Sequence, residues 1–174
     1  MRGVVRQRLD YSCGVASVVN LVQGYAGTEL NEGALLFDAL NRMTVAERQQ
    51  TIREGLSLLD LNDMLERLGF TPAGLKYDKR NLSRVITPQI VFIYLDKNPH
   101  FAVLSRIRGN RAYLLDSSRG RITLPLYKFL NEWAGIALSV DEISGNGITG
   151  DAKEDQPLIQ IPAIRSALGA LNPD

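Results

Sequence analysis

Cysteine and histidine are nearly absent from this sequence: it holds one of each, Cys13 and His100. A lone cysteine excludes an internal disulfide. One cysteine with one histidine also falls short of the four Cys- and His-rich ligands of a structural zinc site. Charge of one sign is lacking too, since 20 Lys and Arg nearly balance 19 Asp and Glu. That balance gives no basic excess for nucleic acid and no charged tail for a partner. Long apolar runs are missing. The run "IVFIYL", Ile90 to Leu95, is far too short to span a bilayer, and "MRGVVRQR" has no apolar stretch of signal-peptide length. The chain as given therefore reads as soluble, with no nucleic-acid partner expected.

What is present suits one globular domain. The 174 residues are 45% hydrophobic and 22% charged, enough for a single core. The first half carries helical periodicity and the second half strand periodicity, which predicts an α+β fold. Val15, Val18, Val19 and Val22 mark one face of a first helix, with Ser12 as its candidate N-cap and Gly24 or Gly27 as its stop. Leu36, Phe37 and Leu40 mark a second helix. Thr44 with Glu47, and Ser57 with Asp60, have capping-box spacing ahead of two more. From Phe70 the period changes to two. "FTPAGLKY", "QIVFIYL", the hairpin "HFAVLSRIRGNRAYLLD" and "RITLPL" read as strands, then "LYKFLNEW" as a short helix and "GIALSVDEI" as a closing strand. Residues 1–143 are thus expected to form the domain. Residues 144–174 open with "SGNGITGDAKEDQP", a polar, Gly-rich linker by composition, followed by a short extension.

The candidate chemistry lies in four residues. Cys13 stands at the head of the first helix, where unpaired backbone N–H groups favour an anion. A thiol becomes a nucleophile as its thiolate, and a helix N-terminus or a nearby imidazolium promotes that form. Gly14 beside it would let a substrate backbone come close. The competing reading is that Cys13 is a small buried filler. His100, in "KNPHFAVL", is either an exposed loop histidine or the acid/base partner of Cys13. Asp116, ending "RAYLLD", is either a turn-former or the group that orients the imidazole. An ideal ladder closed by the two-residue turn Gly109-Asn110 pairs Val103 with Asp116 and puts His100 on the opposite face. A bulge or a longer turn must intervene if His100 and Asp116 are to meet. Gln7, six residues before Cys13, is either a surface glutamine or an oxyanion donor acting with the Cys13 N–H.

Gln7 followed by "CG" heading an apolar helix, "HFAVL" opening a hairpin, "YLLDS" closing it, and "FLNEW" together resemble the bacteriocin-processing, double-glycine-leader peptidases (cysteine peptidase family thirty-nine). The resemblance runs from about Val5 to Leu138. It implies a papain-like fold, with helices on an antiparallel sheet. It implies Cys13 as nucleophile, His100 as general acid/base, Asp116 as its orienting partner and Gln7 in the oxyanion hole. No metal or cofactor is implied. The implied substrate is a leader or secreted peptide cut after a small-residue pair such as Gly-Gly. Ser12 stands where transporter-linked members usually have aspartate, so "QRLDYSCG" looks more like the stand-alone branch that accompanies export systems, including those of functional amyloid. That placement implies a periplasmic or cell-envelope address, with the cytoplasm as alternative, and export-system components as partners. The other readings carried forward are a non-cleaving leader-binding module, acyl transfer through the same triad, and a C-terminal "ALGALNPD" lying across the site as a pseudo-substrate.

Overall fold

The computed structural model describes residues 12–144. Gln7 and residues 145–174, with "ALGALNPD", lie outside it. The helices α1 (Ser12–Ala26), α2 (Glu32–Arg42), α3 (Val45–Glu54) and α4 (Leu58–Arg67) come first. The strands β1 (Pro72–Lys76), β2 (Gln89–Leu95), β3 (Asn98–Arg108), β4 (Arg111–Asp116) and β5 (Gly120–Pro125) follow. Helix α5 (Leu126–Glu132), strand β6 (Trp133–Val140) and helix α6 (Asp141–Ser144) complete the domain. The strands form one sheet in the order β1-β6-β2-β3-β4-β5, with every pair antiparallel. Helices packed on an antiparallel sheet are the expected α+β arrangement.

Local chemistry explains the helix boundaries. Thr44 and Ser57 each accept from the backbone N–H three residues on, and Glu47 and Asp60 reach back to the cap N–H, so both capping boxes form. Gly69 takes φ +88 after α4, which lets Phe70 N–H bond Leu65 O at 3.0 Å and close the helix end. Helix α1 runs through Gly24 and stops at Gly27, and it already includes Ser12, so Ser12 is its first residue and not its cap. Phe37 is not a core residue: it is 68% exposed, while Ala39 turns inward from α2 instead.

The sheet separates two apolar clusters. On one face Phe101, Val103, Ile90 and Leu138 meet Val15, Val18, Leu21 and Val22 of α1 and the leucines of α4. On the other, Ala102, Leu104, Ala112 and Leu114 pack under Phe129 and Trp133, whose rings stack at 5.2 Å. Gly14 belongs to the helical layer. A Cβ there would stand 2.9 Å from Leu61 Cδ2, so its lack of a side chain lets α1 sit against α4.

The β3–β4 hairpin holds the feature that matters most. Arg108 pairs with Arg111, Ile107 with Ala112 and Arg106 with Tyr113, as the Gly109-Asn110 turn dictates. Then Leu104 pairs with Leu114 and Val103 with Leu115, because Ser105 is bulged out of the ladder. The Ser105 hydroxyl donates to Tyr113 O at 2.9 Å, and the Arg106 guanidinium lies 4.2 Å from the Tyr113 ring centroid. The bulge lets both Leu104 and Ile107, three positions apart, reach the same apolar cluster. Replacing Ser105 by Ala removes a partly buried neutral hydrogen bond and should cost about 0.5–1.5 kcal/mol. Urea unfolding checks this, and an unchanged midpoint would mean that the bulge is held by packing alone.

Candidate active site

Cys13 is the second residue of α1 and is half-buried. The first turn of α1 holds no acidic side chain. The helix is fixed by four fully buried residues, Val15, Val18, Leu21 and Val22. Ser17 Oγ donates to Cys13 O at 2.9 Å, tightening the first turn.

His100 is not a loop residue. The β2–β3 hairpin turns at Asp96 and Lys97, both at positive φ, and β3 begins before His100, with Pro99 opposite Tyr94 and His100 opposite Ile93. His100 is 9% exposed. The one-residue shift at Ser105 carries the ladder so that Ala102 falls opposite Asp116. His100, two residues along the same face, can then reach the Asp116 carboxylate. His100 Nε2 lies 3.0 Å from Asp116 Oδ1. The Cys13 side chain lies close enough to the ring to favour its charged form. An ionised Asp116 is acceptor only, so Nε2 carries a proton and donates to it, leaving Nδ1 as the ring nitrogen for the thiol. The structure therefore brings Cys13, His100 and Asp116 together; Gln7 lies outside the described residues.

The Asp116 side chain is fully buried and draws on more donors than the sequence reading assigned to it. Ser118 N–H and Oγ–H both donate to Oδ1, at 2.9 Å each, and Arg119 N–H does so at 3.1 Å. Arg119 Nε donates to Oδ2 at 2.7 Å, and Arg119 Nη1 donates to Glu132 Oε2 at 3.1 Å. Ser118, Arg119 and Glu132 were missed as site residues. One signal was available: an aspartate ending a strand with serine two residues on is an Asx-turn pattern. It marks the turn without revealing that the same carboxylate serves the histidine.

The electrostatics follow from this wiring. Burial alone would push the Asp116 carboxyl up. The bonds from His100, Arg119 and Ser118 outweigh burial and hold it well below the usual carboxylate range. Burial likewise pulls the His100 imidazole down, but the bond to Asp116 and the bond and charge of Cys13 raise it to about 9. The favoured state of His100 is the imidazolium, held against the ionised Asp116. Among the described residues no group of three or more His, Cys, Asp or Glu is placed to hold a metal ion.

With this geometry in hand, comparison with known proteins gives a consistent answer. The family model described as "Peptidase C39 family" matches residues 2–144. The chain belongs to the Peptidase C39 family. Membership assigns the described domain to the cysteine peptidases. It is 28% identical over 137 residues to the probable functional amyloid protease FapD of Pseudomonas aeruginosa, and 28% identical over 138 residues to FapD of Pseudomonas fluorescens. Each match covers 79% of this chain and 59% of the relative, so the chain spans under two thirds of the length of these relatives. A more distant match, 23% identical, is the lactococcin-G-processing and transport ATP-binding protein LagD of Lactococcus lactis. It covers 79% of this chain and 18% of that protein. The fold is similar to a double-glycine-motif protease from an AMS/PCAT transporter, solved with its leader peptide (TM-score 0.61, 24% identity, 79% of this chain and 89% of that one). It is also similar to the peptidase domain of Streptococcus ComA (TM-score 0.60, 19% identity, 79% and 93%). These structures bear out the expected papain-like architecture.

Two pH dependences follow from these shifts. The His100 interactions stabilise the fold fully below its ordinary value of 6.5, and that contribution is lost as pH rises through about 9. The Asp116 interactions stabilise above its ordinary 3.8, and their contribution is lost only as pH falls well below it. Activity that needs the imidazolium should fall on the alkaline side near pH 9. Asp116→Asn should move that limb downward and cost about 10²–10⁴ in kcat by disorienting the acid/base group. The pH profile of kcat/KM checks this, and an alkaline limb unmoved in Asp116→Asn would detach Asp116 from His100.

Proposed function

We propose that this chain is an endopeptidase that cuts a leader or secreted peptide after a small-residue pair of the Gly-Gly kind through a Cys13–His100–Asp116 triad. The observation that carries the reading is the single line of contact from Cys13 to His100 to Asp116, the last step 3.0 Å long. The imidazolium stabilises the Cys13 thiolate, which attacks the carbonyl carbon of the scissile bond. The oxyanion is met by the Cys13 backbone N–H and the Gln7 amide. His100 then passes its proton to the leaving amine, and water, deprotonated by His100, releases the acyl-enzyme and restores the thiolate. Small residues at the cleavage point let the substrate backbone pass close to the thiolate. No step calls for a metal or cofactor.

The FapD relatives, named as probable functional amyloid proteases, and LagD, named as a processing and transport protein, support a substrate handled by an export system, whose components would be partners. The periplasmic or cell-envelope address in this proposal rests on the family resemblance alone. Among the described residues no helix is long and apolar enough to cross a membrane. The non-cleaving binding module was kept open by the ladder register of Asp116. The Ser105 bulge removes that objection.

Cys13→Ala should abolish cleavage of a Gly-Gly leader peptide and leave the circular dichroism spectrum unchanged. Gln7→Ala should lower kcat by about 10²–10³. Binding of the peptide by wild-type protein without cleavage, under reducing conditions, would replace the peptidase with the binding module. Gln7→Ala at full rate would remove that side chain from the oxyanion hole.

A further inference from the structure

The triad leaves two charged side chains unexplained. Arg119, on the turn after β4, is about a quarter exposed, and Glu132, the last residue of α5, is 15% exposed at its side chain. Arg119 spans them, with Nε on Asp116 Oδ2 at 2.7 Å and Nη1 on Glu132 Oε2 at 3.1 Å, while its backbone N–H holds Asp116 Oδ1. Held only at Oδ1, by His100, Ser118 and the Arg119 N–H, the carboxylate could still swing about that oxygen. A rigid guanidinium on its second oxygen fixes that plane. Charges of alternating sign then follow one another through the bonded groups His100, Asp116, Arg119 and Glu132.

We propose that Arg119, held in place by Glu132, is a positioning residue of the peptidase. It clamps the Asp116 carboxylate in the plane that orients His100, and its charge sets the pH at which His100 gives up its proton. The inference rests on the triad reading above. Among the described residues, the ionisable groups facing His100 are Cys13 from α1 and Asp116 from β4, with the Ser118 hydroxyl 3.4 Å from Nε2 and Arg119 behind Asp116. Ile93, opposite on β2, brings no charge.

Alternation gives opposite signs for the two ends of the clamp. Arg119→Met removes the cation that competes with His100 for Asp116, so the imidazolium is held more strongly and the alkaline limb of kcat/KM should rise by about one pH unit. Its kcat should fall about 10- to 100-fold with KM little changed, because the carboxylate loses its fixed plane. Glu132→Gln leaves the Arg119 charge uncompensated beside Asp116 and should move the limb the other way, by less. Arg119→Lys keeps charge without the fork and should restore the limb more than it restores kcat. The experiment is the pH profile of Gly-Gly peptide cleavage by the four proteins, with the pH dependence of Cys13 alkylation as a second readout that needs no turnover. Limbs displaced in opposite directions establish the clamp. Limbs that stay put, or that move together, overturn it, and if Arg119→Met does not fold, Arg119→Lys and Glu132→Gln decide alone. His100→Ala separates this from the triad reading. If His100→Ala leaves cleavage and alkylation unchanged, the triad itself is wrong; if it abolishes cleavage while the Arg119 and Glu132 variants keep the wild-type limb, only the clamp is wrong.

Discussion

Ser105 is one residue too many for the ladder between β3 and β4, and the site depends on that surplus. Side chains alternate across a strand, so a shift of one register position moves every later residue to the other face. Counted from the Gly109-Asn110 turn without interruption, Val103 would face Asp116 and His100 would point to the far side. With Ser105 set aside, Val103 meets Leu115, and His100 comes onto the Asp116 face. The cost of the bulge is a broken stretch of ladder. It is offset by the Ser105 hydroxyl on Tyr113 O, by Arg106 over the Tyr113 ring, and by burial of Ile107 beside Leu104 and Ala112. Packing at one end of the hairpin thereby determines chemistry at the other.

Helix α1 answers the same constraint from the opposite side. The sheet delivers an imidazole to one place, and a thiol must arrive there on a rigid element. Residues Val15 to Val22 bury one face of α1 against the sheet, and Gly14 lets α1 settle against Leu61 and Leu56 of the α4 region. Cys13 is then carried at the N-terminal end of a helix that cannot slide without opening the core. There Cys13 adds to Asp116 in favouring the charged form of His100.

Much of this was legible in the residues. Both capping boxes, the Gly109-Asn110 turn and the helix-then-strand order follow from local chemistry, while the pairing of the single thiol with the single imidazole came from the family resemblance. Even the need for a bulge or a longer turn was visible, because an ideal ladder from Gly109-Asn110 puts His100 and Asp116 on opposite faces. Three things were not legible. Phe37 fits the helical period of α2 yet points to solvent, because the period tells which residues share a face and not which face is covered. Gly14 looked like room for a substrate and is room for Leu61, because a glycine shows where space is needed and not who occupies it. Arg119 and Glu132 are 13 positions apart and meet only because α5 ends beside the turn that follows β4. No local pattern marks a contact that tertiary packing creates.

That last contact also bears on how a buried carboxylate can serve a cationic histidine at all. Removing Asp116 from water is costly, and His100 offers only one donor to repay it. The turn supplies the rest: two backbone N–H groups and a hydroxyl from residues 118 and 119, then a guanidinium for the second oxygen. These donors keep Asp116 ionised without depending on the protonation state of His100. The histidine is thereby freed to gain and lose its proton while its partner stays fixed, which is what a group acting in turn as acid and as base requires. A carboxylate satisfied by the imidazolium alone would resist each deprotonation by the full loss of its partner charge. On the proposed mechanism, sharing Asp116 between His100 and the turn would lower the cost of each deprotonation of His100.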